Sequence, residues 1–94
     1  MANSQGQIER EYAVGSGRMD LHIRFAGEQF AIELKLKRKG ALAKGKEQLA
    51  GYLEKLNLEH GYLVLFQRGA PDPTEIGTRE EVTYQGKRIT VLWF

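Results

Sequence analysis

At 94 residues, with 41% hydrophobic and 28% charged side chains, the chain can build one sheet and one or two helices around a single core and is too apolar for a disordered segment. It has no cysteine, which excludes a disulfide framework and Cys-ligated zinc and makes the reducing cytoplasm the expected compartment. The net charge of +2 hides a segregation: Lys35, Lys37, Arg38, Lys39, Lys44 and Lys46 fall in one acid-free stretch, leaving eight basic residues against twelve acidic ones elsewhere.

The small, polar start at residues 1–6 carries no apolar leader and is expected to be flexible, and residues 1–94 read as one domain. Residues 8–14 suggest a first strand, interrupted by Glu9, Arg10 and Glu11, and Gly15-Ser16-Gly17 marks a turn. Leu21, Ile23 and Phe25 alternate with Asp20, His22 and Arg24, and Phe30, Ile32, Leu34 and Leu36 alternate with Ala31, Glu33, Lys35 and Lys37, so both runs are half-buried strands. A two-residue loop at Ala26-Gly27 would pair Phe25 with Glu28 and thereby set Asp20 opposite Glu33.

Gly40 precedes a helix predicted over residues 41–57, with Leu42, Leu49, Leu53 and Leu56 as its sheet-facing stripe and Lys44, Gln48 and Tyr52 along its flank. Asn57 and Gly61 bracket its exit. Residues 62–66 form a continuous apolar run, too short to cross a bilayer, that predicts a central strand covered on both faces and reached by a parallel crossover. Pro71 and Pro73 place a loop at residues 69–73, and residues 81–84 and 88–94 flank Gln85-Gly86 as a terminal hairpin. The expected fold class is α/β: a small mixed β-sheet in strand, strand, strand, helix, strand order plus a C-terminal hairpin.

Alternation puts Glu33 and Lys35 on one face, and the hairpin register adds Asp20 to it. Carboxylate oxygens are hard ligands for Mg²⁺ or Mn²⁺, which bind one or two carboxylates together with water and substrate phosphate. Such an ion polarises a phosphodiester and activates water, while Lys35 orients that water or offsets developing charge. An E-x-K triplet alone is what any solvent-facing strand produces. The matched Asp20, the Gly-rich turn and the downstream cations are what raise it. Lys37, Arg38, Lys39 and Lys44 are either a solvated strand end or a nucleic-acid backbone contact. His22 reads as a bystander, His60 as a loop residue, Tyr52 as packing, and Trp93 and Phe94 as core or interface.

Through Gly17-Arg18-Met19-Asp20-Leu21 and Ile32-Glu33-Leu34-Lys35 the chain resembles the PD-(D/E)XK nuclease superfamily. Ile8-Glu9-Arg10-Glu11-Tyr12, Gln48-Leu49-Ala50-Gly51-Tyr52 and His60-Gly61-Tyr62-Leu63-Val64-Leu65-Phe66 narrow the resemblance to the C-terminal nuclease-like domain of certain bacterial ATP-binding proteins. It spans nearly the whole chain. The resemblance implies a restriction-endonuclease-like core, Mg²⁺ or Mn²⁺ on Asp20 and Glu33, a catalytic Lys35, a supporting Gln48 and a further acidic ligand at Glu11, or at Glu9. It further implies metal-dependent phosphodiester hydrolysis of nucleic acid, DNA ahead of RNA. The competing expectation is an inactive nuclease-fold module that binds nucleic acid or a protein partner. The family's first core helix has no counterpart before Ile8, which predicts either an excised fragment or a homodimer that supplies the missing cover. There is no glycine-rich run ending in Gly-Lys-Ser/Thr, so ATP hydrolysis is not expected of this chain.

Overall fold

The computed structural model describes residues 6–13, 18–67 and 77–94. The expected flexible start at residues 1–5, the Gly15-Ser16-Gly17 turn and the loop at 69–73 lie outside the described residues.

Strands β1 (Gly6–Ala13), β2 (Arg18–Phe25) and β3 (Glu28–Leu36) are followed by helix α1 (Ala41–Leu56), then by β4 (His60–Phe66), β5 (Thr78–Tyr84) and β6 (Lys87–Trp93). They form a mixed six-stranded sheet in the order β1-β2-β3-β4-β6-β5. β3 runs parallel to β4, and β4 parallel to β6; the other neighbours are antiparallel. No helix among the described residues is long and apolar enough to cross a membrane.

The β2–β3 hairpin closes through Ala26 at φ 53° and Gly27 at φ 82°. Two successive positive φ values match the twist of the flanking strands, and they fix Phe25 opposite Glu28, as the alternation predicts. Counting back from that loop, Asp20 faces Glu33 and Arg18 faces Lys35. Gln85 at φ 51° and Gly86 at φ 79° close the second hairpin in the same way.

Helix α1 begins after Gly40, whose left-handed backbone, φ 79°, turns the chain off the sheet, and stops at Asn57 in a second left-handed position, φ 61°. It lays Ala41, Gly45, Leu49, Tyr52 and Leu53 on the sheet, where they meet Ala31, Leu63, Leu65, Ile89 and Val91. The approach is close because two glycines lack side chains. A Cβ on Gly45 would stand 2.8 Å from the Leu63 methyl carbons, and one on Gly61 would stand 3.0 Å from Leu53 Cδ2. Lys87 ties the far end, its ammonium 3.4 Å from Glu54 and 3.7 Å from Glu59.

Two expectations change. β4 is not covered on both faces: Gly61, Leu63 and Leu65 are buried under α1, whereas Tyr62, Val64 and Phe66 alternate with them and stay half-buried. His60 is not a loop residue but the first residue of β4, where its Nε2 is hydrogen-bonded to Thr90 Oγ1 at 2.8 Å.

Ala26 carries a left-handed backbone that disfavours an L side chain with a simple Cβ, whereas Asn tolerates it. Ala26→Asn should therefore stabilise the protein by about 0.5–1 kcal/mol in urea unfolding. A loss of stability would show that the hairpin loop, and the register counted from it, is drawn incorrectly.

Candidate functional site

Four charged side chains meet on the helix-covered side of the sheet. Glu33 is in register with Leu63, and Lys35 with Leu65, both core leucines, so each lies on the face that α1 covers. Asp20 and Arg18 join them from β2. Exposure is 5% at Asp20, 0% at Glu33 and 8% at Lys35, which removes all three from the class of solvated surface charges.

Arg18 holds the cluster together. Its Nη2 donates to Asp20 Oδ2 at 2.8 Å and its Nε to Oδ1 at 3.2 Å, a two-pronged grip, while the same Nε lies 3.5 Å from Glu33 Oε1. One guanidinium thus sits against both carboxylates. Even so, both Glu33 oxygens are buried without accepting a hydrogen bond, and so is Gln48 Oε1 on α1. A buried charge left in that state is costly. Burial accordingly pushes the Glu33 carboxyl up to about 8, opposed by the Arg18 charge, reinforced by the Asp20 charge, opposed by Lys35, and reinforced again by the hydrogen bond that Glu33, once protonated, donates to Asp20. Two adjacent carboxylates sharing one proton is the ion-free solution to the same problem.

The other residues singled out in the sequence divide by position. Glu11 is in backbone register with Asp20, which sets Glu11, Asp20 and Glu33 in one row across three strands. Glu9 is in register with His22, one step farther along β1. His22 is buried, with its Nε2 hydrogen-bonded to Gln29 Oε1 at 2.9 Å. Lys37 is half-buried with its ammonium 5.7 Å from the Trp93 ring centroid, and Arg38, Lys39 and Lys44 are exposed around the start of α1. Sequence reasoning missed Arg18 as a member of the site. The available signal was its parity, since it shares the Asp20 face of β2 and stands opposite Lys35.

Among the described residues no group of three or more His, Cys, Asp and Glu side chains is placed to hold a metal ion. The described donors fit a hard divalent cation in a smaller way: two carboxylates, of which Glu33 has both oxygens unfilled. Asp20 would join only if the Arg18 fork releases it.

One family model, described as "Domain of unknown function (DUF8371)", matches residues 1–70. No curated protein and no solved structure matches the chain.

Glu33 also gives a signature in stability against pH. Its carboxyl titrates near 4.5 in the unfolded chain and near 8 in the folded one, so between those values the folded state binds more protons and stability falls as pH rises. The contribution is complete below pH 4.5 and gone above about 8. In EDTA-containing buffer, Glu33→Gln should flatten this fall, its melting temperature gaining on wild type steadily up to pH 8.5. Parallel melting curves for the two proteins across that range would contradict the burial argument.

Proposed function

The chain belongs to the DUF8371 family, and from its buried charge cluster we propose that it is a metal-dependent nuclease with a restriction-endonuclease-like, PD-(D/E)XK-type core, hydrolysing phosphodiester bonds in nucleic acid, DNA ahead of RNA. The observation that carries this reading is the pair Asp20 and Glu33, buried across one hairpin, with Lys35 two residues beyond Glu33 on the same face.

On this reading Asp20 and Glu33 hold Mg²⁺ or Mn²⁺, with Glu11 in the same backbone row as a third candidate ligand. The ion supplies Lewis-acid polarisation of the phosphoryl group. Lys35, a compact cation beside that position, offsets negative charge as it develops on phosphorus-bound oxygen. Gln48, with a buried and unpartnered Oε1, is available to fix the attacking water through a hydrogen bond. Arg18 keeps the carboxylates paired until ion and substrate arrive. Lys37, Arg38, Lys39 and Lys44 hold the nucleic-acid backbone.

A second reading, a binding module that does not cut, is favoured by one feature: the Arg18 fork already occupies both oxygens of Asp20. In the module, Arg18 is a permanent structural replacement for the ion.

Cleavage of plasmid, single-stranded DNA and RNA with Mg²⁺ or Mn²⁺ separates the two. Asp20→Asn, Glu33→Gln and Lys35→Ala should each reduce cleavage by at least about a hundredfold, with Glu33→Gln as stable as wild type or more so in metal-free buffer and Asp20→Asn less stable, because it takes the charge from the Arg18 fork. Cleavage persisting in Asp20→Asn removes the assignment. Neutralising Lys37, Arg38, Lys39 and Lys44 together should weaken binding about equally for all sequences and flatten its dependence on salt. Unchanged affinity would take this patch out of the interface.

A further inference from the structure

The nuclease reading does not use a cavity of about 400 Å³ at the end of β3, where the chain leaves the sheet for α1. Its apolar wall comes from Ala41, Leu42, Leu65 and Trp93, and its rim carries Lys37 and Arg38. Among the described residues, no carboxylate lines it. The Lys37 ammonium lies over the Trp93 ring, 5.7 Å from its centroid, and is attracted by the ring quadrupole. A second recess, of about 520 Å³, lies against the same Lys37 and Arg38 and is bounded by Leu36 and Gln67. Two hollows therefore share one cationic ridge.

Hollows of this size are of the order that ligand sites occupy, about 300–1,000 Å³. The chemistry narrows the ligand. An apolar aromatic wall beside two cations, with no acid among the described residues that line it, favours a flat apolar ring joined to an anion over a cation or a basic peptide. The cavity also has a defined place relative to the cluster. Lys35, Leu65 and Trp93 are in register across β3, β4 and β6, so Trp93 stands two strand spacings, about 10 Å, from Lys35.

We propose that this cavity is a subsite for one unpaired nucleotide beside the bond to be cut, its base against Leu65 and Trp93 and its phosphate on Lys37 and Arg38. The nucleotide's place next to the cleaved bond rests on the nuclease reading; the cavity's ligand chemistry does not. A base inside a duplex is stacked and paired, and drawing it out costs a few kcal/mol. The substrate class that follows is single-stranded nucleic acid or a frayed end. The second recess carries the neighbouring nucleotide past the ridge.

Trp93 is the chain's one tryptophan, so its fluorescence reads the cavity directly. In EDTA, where a metal-dependent enzyme does not cut, wild-type protein is titrated with a thymidine tetranucleotide, a blunt hairpin duplex, inorganic phosphate and decanoate. The tetranucleotide should change Trp93 emission saturably and bind at least about tenfold tighter than the duplex, while phosphate and decanoate leave emission unchanged. Ala43→Leu, an exposed helix position on the cavity wall, keeps Trp93 and should weaken the tetranucleotide about tenfold with the melting temperature unchanged. Equal affinity for strand and duplex, a silent Trp93, or decanoate competing as well as the tetranucleotide overturns the proposal. The tetranucleotide response in a protein that cleaves nothing with Mn²⁺ supports the subsite and removes the nuclease reading. Cleavage with a silent Trp93 does the reverse.

Discussion

The close approach of α1 to β4 governs the electrostatics of the whole molecule. Gly45 leaves room for the Leu63 methyls, and Gly61 leaves room for Leu53, so the helix settles onto the middle of the sheet with no side chain between the two backbones at those points. Leu63 is the register partner of Glu33. A helix pressed onto Leu63 therefore also shuts water away from the neighbouring carboxylate, and the complete burial of Glu33 is a consequence of packing by glycine and leucine. A side chain at position 45 would have to displace the Leu63 methyls that pack there.

Once water is excluded, Glu33 has three ways to lower its energy: keep a proton, pair with a cationic side chain, or bind a metal ion. The cluster offers all three, through Asp20 as proton partner, Arg18 at 3.5 Å, and two unfilled carboxylate oxygens. With Arg18 and Lys35 against Asp20 and Glu33, full ionisation leaves the quartet neutral. On the proposed function, adding a divalent ion makes it strongly positive, which is unfavourable in a buried setting unless an anion comes with it. A phosphodiester is such an anion. Ion and substrate then bind each other's site cooperatively, and Arg18 is the group displaced when they do.

The parts of the fold that were legible in the sequence are those with local causes. The Asp20 and Glu33 register followed from period-2 alternation on both sides of a two-residue loop, and the helix followed from Gly40, a leucine stripe and Asn57. Long-range pairing was not legible. Nothing local to residues 87–93 says that β6 inserts beside β4 and leaves β5 on the edge. The apolar run in β4 was over-read as doubly covered because Tyr62, Val64 and Phe66 look like core residues, although α1 packs on the other side. Arg18 was missed for a different reason: parity gives the face of a long flexible side chain but not the direction in which it turns, and only the burial of two carboxylates decides that.

The segregation of charge along the chain has the same physical origin. Up to Leu36, β3 is held in the sheet, where a charge on the covered face survives only if it is paired, and Glu33 and Lys35 are both within such a cluster. Beyond Leu36 the chain leaves the sheet, and the constraint lapses. Arg38 and Lys39 can then stand exposed beside the half-buried Lys37 in a stretch of sequence that holds no acid. The result is a cationic rim around a cluster that contains carboxylates. A polyanion is drawn to the rim by charge alone. On the proposed function, the basic residues supply attraction for any nucleic acid, and the buried acids make chemistry on it conditional on the metal.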